Sequence, residues 1–271
     1  MRKRLVILGA GESGVGTAVL AIQKGYTVFV SDRGAILQVY KKKLEKLAVD
    51  FEENTHTEAK ILAADVVMKS PGIPDKTPLI QKLIALHIPV ISEIEFAAQF
   101  TDATIVAITG SNGKTTTTML MHHVLKQANF DVGIGGNIGL SFAEQVATKL
   151  HKNYVLEISS FQLDGIEHFA PHIAVITNVT PDHLDRYQYN FKEYVASKFR
   201  ITMNQTANDY LIYDADDLAI QQWLKHYKTK AKLVPFSMKN ILEEGAFLKD
   251  NSIQTTIHNE QFNMSVSALS L

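Results

Sequence analysis

The sequence predicts an α/β protein: an N-terminal Rossmann-like parallel-sheet domain followed by a P-loop ATPase-like central α/β domain. Three observations lead there. Short apolar runs alternate with longer amphipathic stretches through the first hundred or so residues, and the same alternation restarts at 104. Each half opens with a glycine-rich turn between a strand and a helix. The turns are Gly9-Ala10-Gly11-Glu12-Ser13-Gly14-Val15-Gly16 and Thr109-Gly110-Ser111-Asn112-Gly113-Lys114-Thr115-Thr116.

In the first half, residues 5–8, 27–31, 65–69 and 90–92 read as strands, with helices over 15–24 and 78–86 between them. In the second half, 104–109 is a β-branched strand followed by a glycine turn and a helix over 114–128. Further strands are expected at 154–158, 173–177, 210–213 and 232–235. The spacing of Phe191, Tyr194, Val195, Lys198 and Phe199 predicts a helix over 191–204. The boundary falls within 95–102, giving domains 1–94 and 95–271; no low-complexity linker or short-period repeat accompanies it.

The 271 residues, 46% hydrophobic and 20% charged, are enough for two domains with cores of their own. A net charge of −1 supplies no basic field for nucleic acid or an acidic membrane. The absence of cysteine excludes disulfides and thiolate chemistry and fits a reducing cytoplasm. Met1-Arg2-Lys3-Arg4 before Leu5-Val6-Ile7-Leu8 is too short in its apolar part for a signal peptide. No apolar run reaches the roughly 18 residues of a membrane span.

The amides of the 9–16 turn and the helix behind it suit a diphosphate, and Asp32 ends the second strand where an acid would meet a ribose hydroxyl. A dinucleotide site and a tight turn without ligand are both open for this segment. The second turn is more specific. Lys114 is placed to reach the β- and γ-phosphates of ATP and Thr115 to hold magnesium, although Ile108 stands where the general phosphate-loop pattern has glycine. Glu157 ends an apolar strand, where ligands bind in open α/β sheets, or is a solvated strand end. His183 follows the 173–177 strand in a polar connection, as a metal or phosphoryl partner or as a structural histidine. For Lys198 the plain reading is a surface lysine covering apolar neighbours.

Three segments, in this order and spacing, resemble the Mur ligase family. They are Gly110-Ser111-Asn112-Gly113-Lys114-Thr115, Glu157-Ile158-Ser159-Ser160-Phe161-Gln162-Leu163 and Asn178-Val179-Thr180-Pro181-Asp182-His183-Leu184-Asp185-Arg186. Tyr194-Val195-Ala196-Ser197-Lys198-Phe199-Arg200 adds to the resemblance, which is weaker before residue 100. It implies an amide-forming, ATP-dependent ligase of peptidoglycan synthesis, a cytoplasmic monomer. It also implies ATP bound by Gly110, Ser111, Asn112, Gly113, Lys114, Thr115 and Thr116. Thr115 and Glu157 would hold one Mg2+, and His183 and carbamylated Lys198 a second; Lys114, His183 and Lys198 would be catalytic. UDP-N-acetylmuramoyl-L-alanine would meet Asn137, Ser159, Gln162 and His183, and, by analogy, Ser13, Gly14, Asp32, Ser70 and Gly72. Glu12 departs from the family's pattern by bringing a carboxylate near the expected diphosphate.

The resemblance also implies the chemistry: the alanine carboxylate attacks the γ-phosphate of ATP, and the amine of D-glutamate displaces phosphate from the acyl phosphate. Family members carry a third domain for the incoming amino acid. The chain ends at Ala268-Leu269-Ser270-Leu271, so the sequence reads as a fragment or designed truncation, inactive alone. Two other classes compete: an NAD-dependent oxidoreductase using the 9–16 turn, which leaves 110–116 unexplained, and a non-catalytic nucleotide-binding module.

Overall fold

The computed structural model describes residues 2–268; Met1 and residues 269–271, which the sequence reading assigned to the first and second domains, lie outside the described residues. The chain forms two compact units, one of residues 1–104 with 118–169 and the other of 105–117 with 170–271.

The first unit begins with β1 (Arg4–Leu8), α1 (Glu12–Gln23), β2 (Thr27–Ser31), α2 (Gln38–Lys46), β3 (Asp50–Glu52), α3 (Glu58–Ile61), β4 (Val66–Lys69), α4 (Pro78–Ala85), β5 (Val90–Ile91) and α5 (Glu93–Ala98). Its five strands form a parallel sheet in the order β3-β2-β1-β4-β5. β1 lies at the centre because Leu5, Val6, Ile7 and Leu8 are buried on both faces, the pattern of an interior parallel strand. On one face Val6 and Leu8 pack with Phe29, Ile61, Val67, Ile80 and Leu83. Next along the chain come β6 (Thr104–Thr109) and α6 (Lys114–Gln127), then β7 (Val132–Gly136), α7 (Phe142–Thr148), β8 (Asn153–Glu157) and α8 (Ser160–Leu163). β7 and β8 pair in parallel, and α1, α5 and α7 pack on one another within the first unit. A Cβ on Gly16 would fall 2.0 Å from Ser141 Oγ, so glycine is what lets α1 approach the start of α7 so closely.

The second unit continues with β9 (Ile173–Ile176), α9 (Phe191–Phe199), β10 (Tyr210–Asp214), α10 (Leu218–His226), β11 (Lys232–Ser237), β12 (Gly245–Lys249), β13 (Ser252–Ile257) and β14 (Glu260–Ser265). Its strands run in the order β14-β13-β12-β11-β10-β9-β6, parallel from β6 to β12 and antiparallel from β12 to β14. α9 buries Tyr194, Val195, Lys198 and Phe199, and the Phe199 ring stacks on Trp223 of α10 at 5.5 Å between centroids.

The α/β class with its parallel sheets is as the sequence predicts. The expected 191–204 helix is shorter: α9 stops at Phe199 and a tighter turn, Arg200–Thr202, follows. The antiparallel β12–β14 ribbon is additional. β13 and β14 are partly or wholly exposed, so they carry no apolar run of the kind that marks a buried strand.

Leu83 is fully buried in the first-unit core. Leu83→Ala is expected to lower unfolding free energy by about 2–5 kcal/mol through lost burial and the cavity left behind. Urea denaturation followed by circular dichroism measures it, and a change below about 1 kcal/mol would contradict this packing.

Candidate functional site

Predicted site residues gather in both units. In the second unit, the turn between β6 and α6 is pinned by the chain leaving β9. Ser111 is buried; its hydroxyl donates to Thr180 O at 2.8 Å, accepts from Thr180 N at 2.9 Å and lies 3.1 Å from the Tyr194 hydroxyl. Asn112 N donates to Asn178 Oδ1 at 2.9 Å, while Asn178 Nδ2 and Thr177 Oγ1 donate to Asn112 O at 2.9 and 2.7 Å. Gly110 and Gly113 have φ of +150° and +81°, and a Cβ on Gly110 would lie 1.9 Å from Thr177 Oγ1. Only glycine follows this path without strain.

Two lysines converge on the turn. Lys114 Nζ donates to Gly110 O at 3.0 Å and to Ser111 O at 2.9 Å. Lys198 Nζ donates to the same Gly110 O at 2.7 Å. Lys198 is only 2% exposed, so the surface-lysine reading is replaced: α9 turns the side chain inward, with Nζ 4.5 Å from the Tyr194 ring centroid. Burial pushes the Tyr194 phenol up, so its hydroxyl keeps its proton. Lysine charge beside the amide end of the 14-residue α6 makes a setting for an anion of the phosphate kind. Thr115 and Thr116 are exposed in the first turn of α6. His183, at φ +49°, begins the turn after Asp182; its Nε2 lies 3.5 Å from Asp182 Oδ2, and both side chains are about half exposed.

In the first unit, Asp32 clamps the 9–16 turn: Oδ2 accepts from Ala10 N at 2.7 Å and Oδ1 from Gly34 N at 2.8 Å. A cleft of about 670 Å3 opens beside it, lined by Gly9, Asp32, Arg33, Asn54, His56 and Gly72 among others. Ser13, Gly14 and Ser70 are not among its lining residues, although a Cβ on Gly9 would lie 2.4 Å from Ser70 Oγ. His56 was not anticipated from the sequence. Burial pushes its imidazole down, against the carboxylates of Asp32 and Glu52, and Nδ1 lies 2.7 Å from Ser31 Oγ. Glu12 Oε1 accepts from Ser141 N at 3.3 Å, which gives the departing carboxylate a partner.

Glu157 ends β8 buried, not as a solvated strand end. Its Oε1 accepts from Asn137 Nδ2 at 2.7 Å, and its carbonyl accepts from Asn137 N at 2.8 Å. The expected metal ligand and the expected sugar contact are therefore neighbours. Ser159 and Gln162 hold one another: Gln162 N donates to Ser159 Oγ at 3.3 Å and Ser159 N to Gln162 Oε1 at 3.0 Å, the capping box of α8.

Among the described residues, no three His, Cys, Asp or Glu side chains gather as a metal centre built from those ligands would require. The oxygen donors Thr115 and Glu157 are of the type that suits magnesium, an ion that keeps several waters and takes few protein ligands. Lys198 suits a metal only once a carbamate replaces its ammonium, and that change leaves one N–H for the Gly110 carbonyl.

Ser111 satisfies Thr180 N from a buried position, so Ser111→Ala leaves an amide without its acceptor. The expected cost is about 1–3 kcal/mol, read by chemical denaturation; an unchanged midpoint would contradict this bracing of the turn.

Comparison with known proteins adds two family matches: Mur ligase middle domain over residues 108–269, and Mur ligase MurD-like, N-terminal domain, over 3–92. The UDP-N-acetylmuramoylalanine--D-glutamate ligase of Christiangramia forsetii is 54% identical over 271 residues, 100% of this chain and 61% of the relative. That of Bacteroides thetaiotaomicron is 52% identical over 271 residues, 99% of this chain and 60% of the relative. The chain thus spans about 60% of the length of these relatives. Among solved structures, the UDP-N-acetylmuramate:L-alanyl-gamma-D-glutamyl-meso-diaminopimelate ligase of Neisseria meningitides aligns with a TM-score of 0.62 at 18% identity, covering 96% of this chain and 86% of that one. UDP-N-acetylmuramate-alanine ligase MurC of Thermotoga maritima aligns with a TM-score of 0.55 at 19% identity, covering 97% and 60%. At these identities the structures support the fold alone.

Proposed function

The chain belongs to the Mur ligase family, and from that membership we propose that it is the ATP-using part of a ligase joining D-glutamate to UDP-N-acetylmuramoyl-L-alanine in peptidoglycan synthesis. The observation that carries the reading is the convergence of Lys114 and Lys198 on the Gly110 carbonyl at the head of α6. The choice of substrates is supported by the names of the relatives at 54% and 52% identity. We divide the chain into a UDP-sugar-binding domain, 1–94, and an ATP-binding domain, 95–271; the matches at 3–92 and 108–269 support the division. No helix among the described residues is long and apolar enough to cross a membrane. A monomer working in the cytoplasm is part of the proposal.

In this reading Gly110, Ser111, Asn112, Gly113 and Thr116 surround the nucleotide's phosphates with backbone and hydroxyl groups, and Lys114 swings from the carbonyls of Gly110 and Ser111 to the β- and γ-oxygens. The alanyl carboxylate attacks the γ-phosphorus, ADP leaves, and the D-glutamate amine displaces phosphate from the acyl phosphate. Two anionic oxygens must meet in line, so positioning and charge neutralisation are the protein's main contribution. Magnesium, held by Thr115 and Glu157, with a second ion at His183 and carbamylated Lys198, would neutralise phosphate charge when bound. Asn137, Ser159, Gln162 and His183 are assigned to the UDP-sugar, with Ser13, Gly14, Asp32, Ser70 and Gly72 on its uridine-diphosphate side. Asp32 would act there mainly by shaping the 9–16 turn, since backbone amides already engage both its oxygens.

Two outcomes test this. Titration of the chain should give saturable UDP-N-acetylmuramoyl-L-alanine binding that NAD does not displace; saturable NAD binding that the UDP-sugar fails to displace would favour an oxidoreductase instead. In an active ligase containing this chain, Lys198→Ala should lower turnover on the order of a hundredfold or more, because a charge beside the transferring phosphoryl group is lost. Lys198→Arg should not restore it, since a guanidinium forms no carbamate, and stripping bicarbonate should lower the unsubstituted enzyme's rate. Full activity in Lys198→Ala would remove the residue from the mechanism.

A further inference from the structure

The first unit buries an acid that the mechanism does not use. Glu93 opens α5 and is 1% exposed. Its Oε1 accepts from Ser141 Oγ at 2.5 Å and from Ala143 N at 3.1 Å, both at the start of α7. Its Oε2 has no hydrogen-bond partner among the described residues, although Ser13 of α1 faces the carboxyl. From α1, Glu12 Oε1 accepts from Ser141 N at 3.3 Å. Ser141 is also the N-cap of α7, its hydroxyl accepting from Glu144 N at 3.1 Å. One serine therefore binds carboxyl groups from two different helices while capping a third.

Burial pushes the Glu93 carboxyl up, and the charge of Glu12 acts in the same direction, against the hydrogen bonds that would favour ionisation. A buried acid is a costly way to fill space, and an apolar side chain of similar volume would pack at lower cost. What an apolar side chain could not do is accept both α7 donors while facing Ser13.

The positions of these helices give the arrangement a use. α1 carries the 9–16 turn at its N-terminus, and α7 follows the 135–139 turn that holds Asn137. We propose that Glu93 is a positioning residue whose buried carboxyl fixes α7 against α1, and so sets the spacing of two turns that grip the diphosphate end and the sugar end of one UDP-sugar. The proposal rests on the assignment of these turns given under the proposed function.

The test is calorimetric titration of the chain with UDP and, separately, with UDP-N-acetylmuramoyl-L-alanine. UDP uses the first turn alone, whereas the UDP-sugar needs both turns in register. Glu93→Ala is expected to weaken the UDP-sugar tenfold or more while UDP changes by less than about threefold. Glu93→Gln, which keeps an acceptor oxygen for the two α7 donors, should bind both ligands within about threefold of the unsubstituted chain. If Glu93→Ala does not fold, Ser141→Ala takes its place with the same expected pattern. Equal losses for UDP and UDP-sugar would reduce Glu93 to a general structural role, and unchanged UDP-sugar affinity would remove the role altogether; either result overturns the proposal. An unsubstituted chain that binds neither ligand overturns the assignment of the turns, and the proposal with it, before any variant is compared.

Discussion

Ser111 is the contact on which the second unit's site depends. A phosphate-binding turn must hold its amides in a fixed cup, yet a run containing Gly110 and Gly113 has more conformational freedom to lose than any other kind of segment. Here that freedom is removed from outside. The Ser111 hydroxyl both donates to and accepts from Thr180, and Asn112 is held by Thr177 and Asn178. The clamp has a natural origin in the sheet: β6 and β9 are parallel neighbours, so their C-terminal ends emerge side by side and their loops meet. α9 then delivers Tyr194 and Lys198 to the same place, the phenol to Ser111 and the amine to Gly110.

The first unit solves its problem in another way. Its 9–16 turn is held by Asp32 through Ala10 N, and Asn137 is held by Glu157 through both backbone and side chain. In each case a carboxylate at the end of a parallel strand organises a glycine-containing turn. Such acids have two tasks in tension, because an oxygen used to fix backbone is less free for a ligand. Glu95, within α5 rather than at a strand end, shows the holding task at its fullest: its carboxylate accepts from the amides of Glu167, His168 and Phe169 and lies 3.3 Å from His168 Nδ1. Ser159 and Gln162 divide in the same manner, since the capping box of α8 already engages the groups expected to meet substrate.

Much of this was legible in the sequence because it is written in local pattern. The apolar run Leu5-Val6-Ile7-Leu8 before Gly9, and the β-branched run before Gly110, mark interior parallel strands ending in turns, and both are found there. The apolar spacing of α9 was legible, but the orientation of Lys198 was not: lysine at a helical interval reads first as a solvated stem over apolar neighbours, and the buried contact with the Gly110 carbonyl overturns that reading. The β12–β14 ribbon escaped because half-exposed antiparallel strands lack a continuous apolar run. Glu93 and His56 escaped for a different reason. Their partners, Ser141 and Ser31, lie 48 and 25 positions away in the chain, and no local spacing announces such contacts.

The central claim is that the turn braced by Ser111 and approached by Lys114 and Lys198 receives the phosphates of ATP. Titration calorimetry of the chain with a non-hydrolysable ATP analogue and magnesium, compared with Lys114→Ala, tests it most directly. The account predicts saturable binding that Lys114→Ala weakens about tenfold or more, the value of roughly one charge-assisted contact. Equal affinity in the two proteins, or no binding to either, would contradict it.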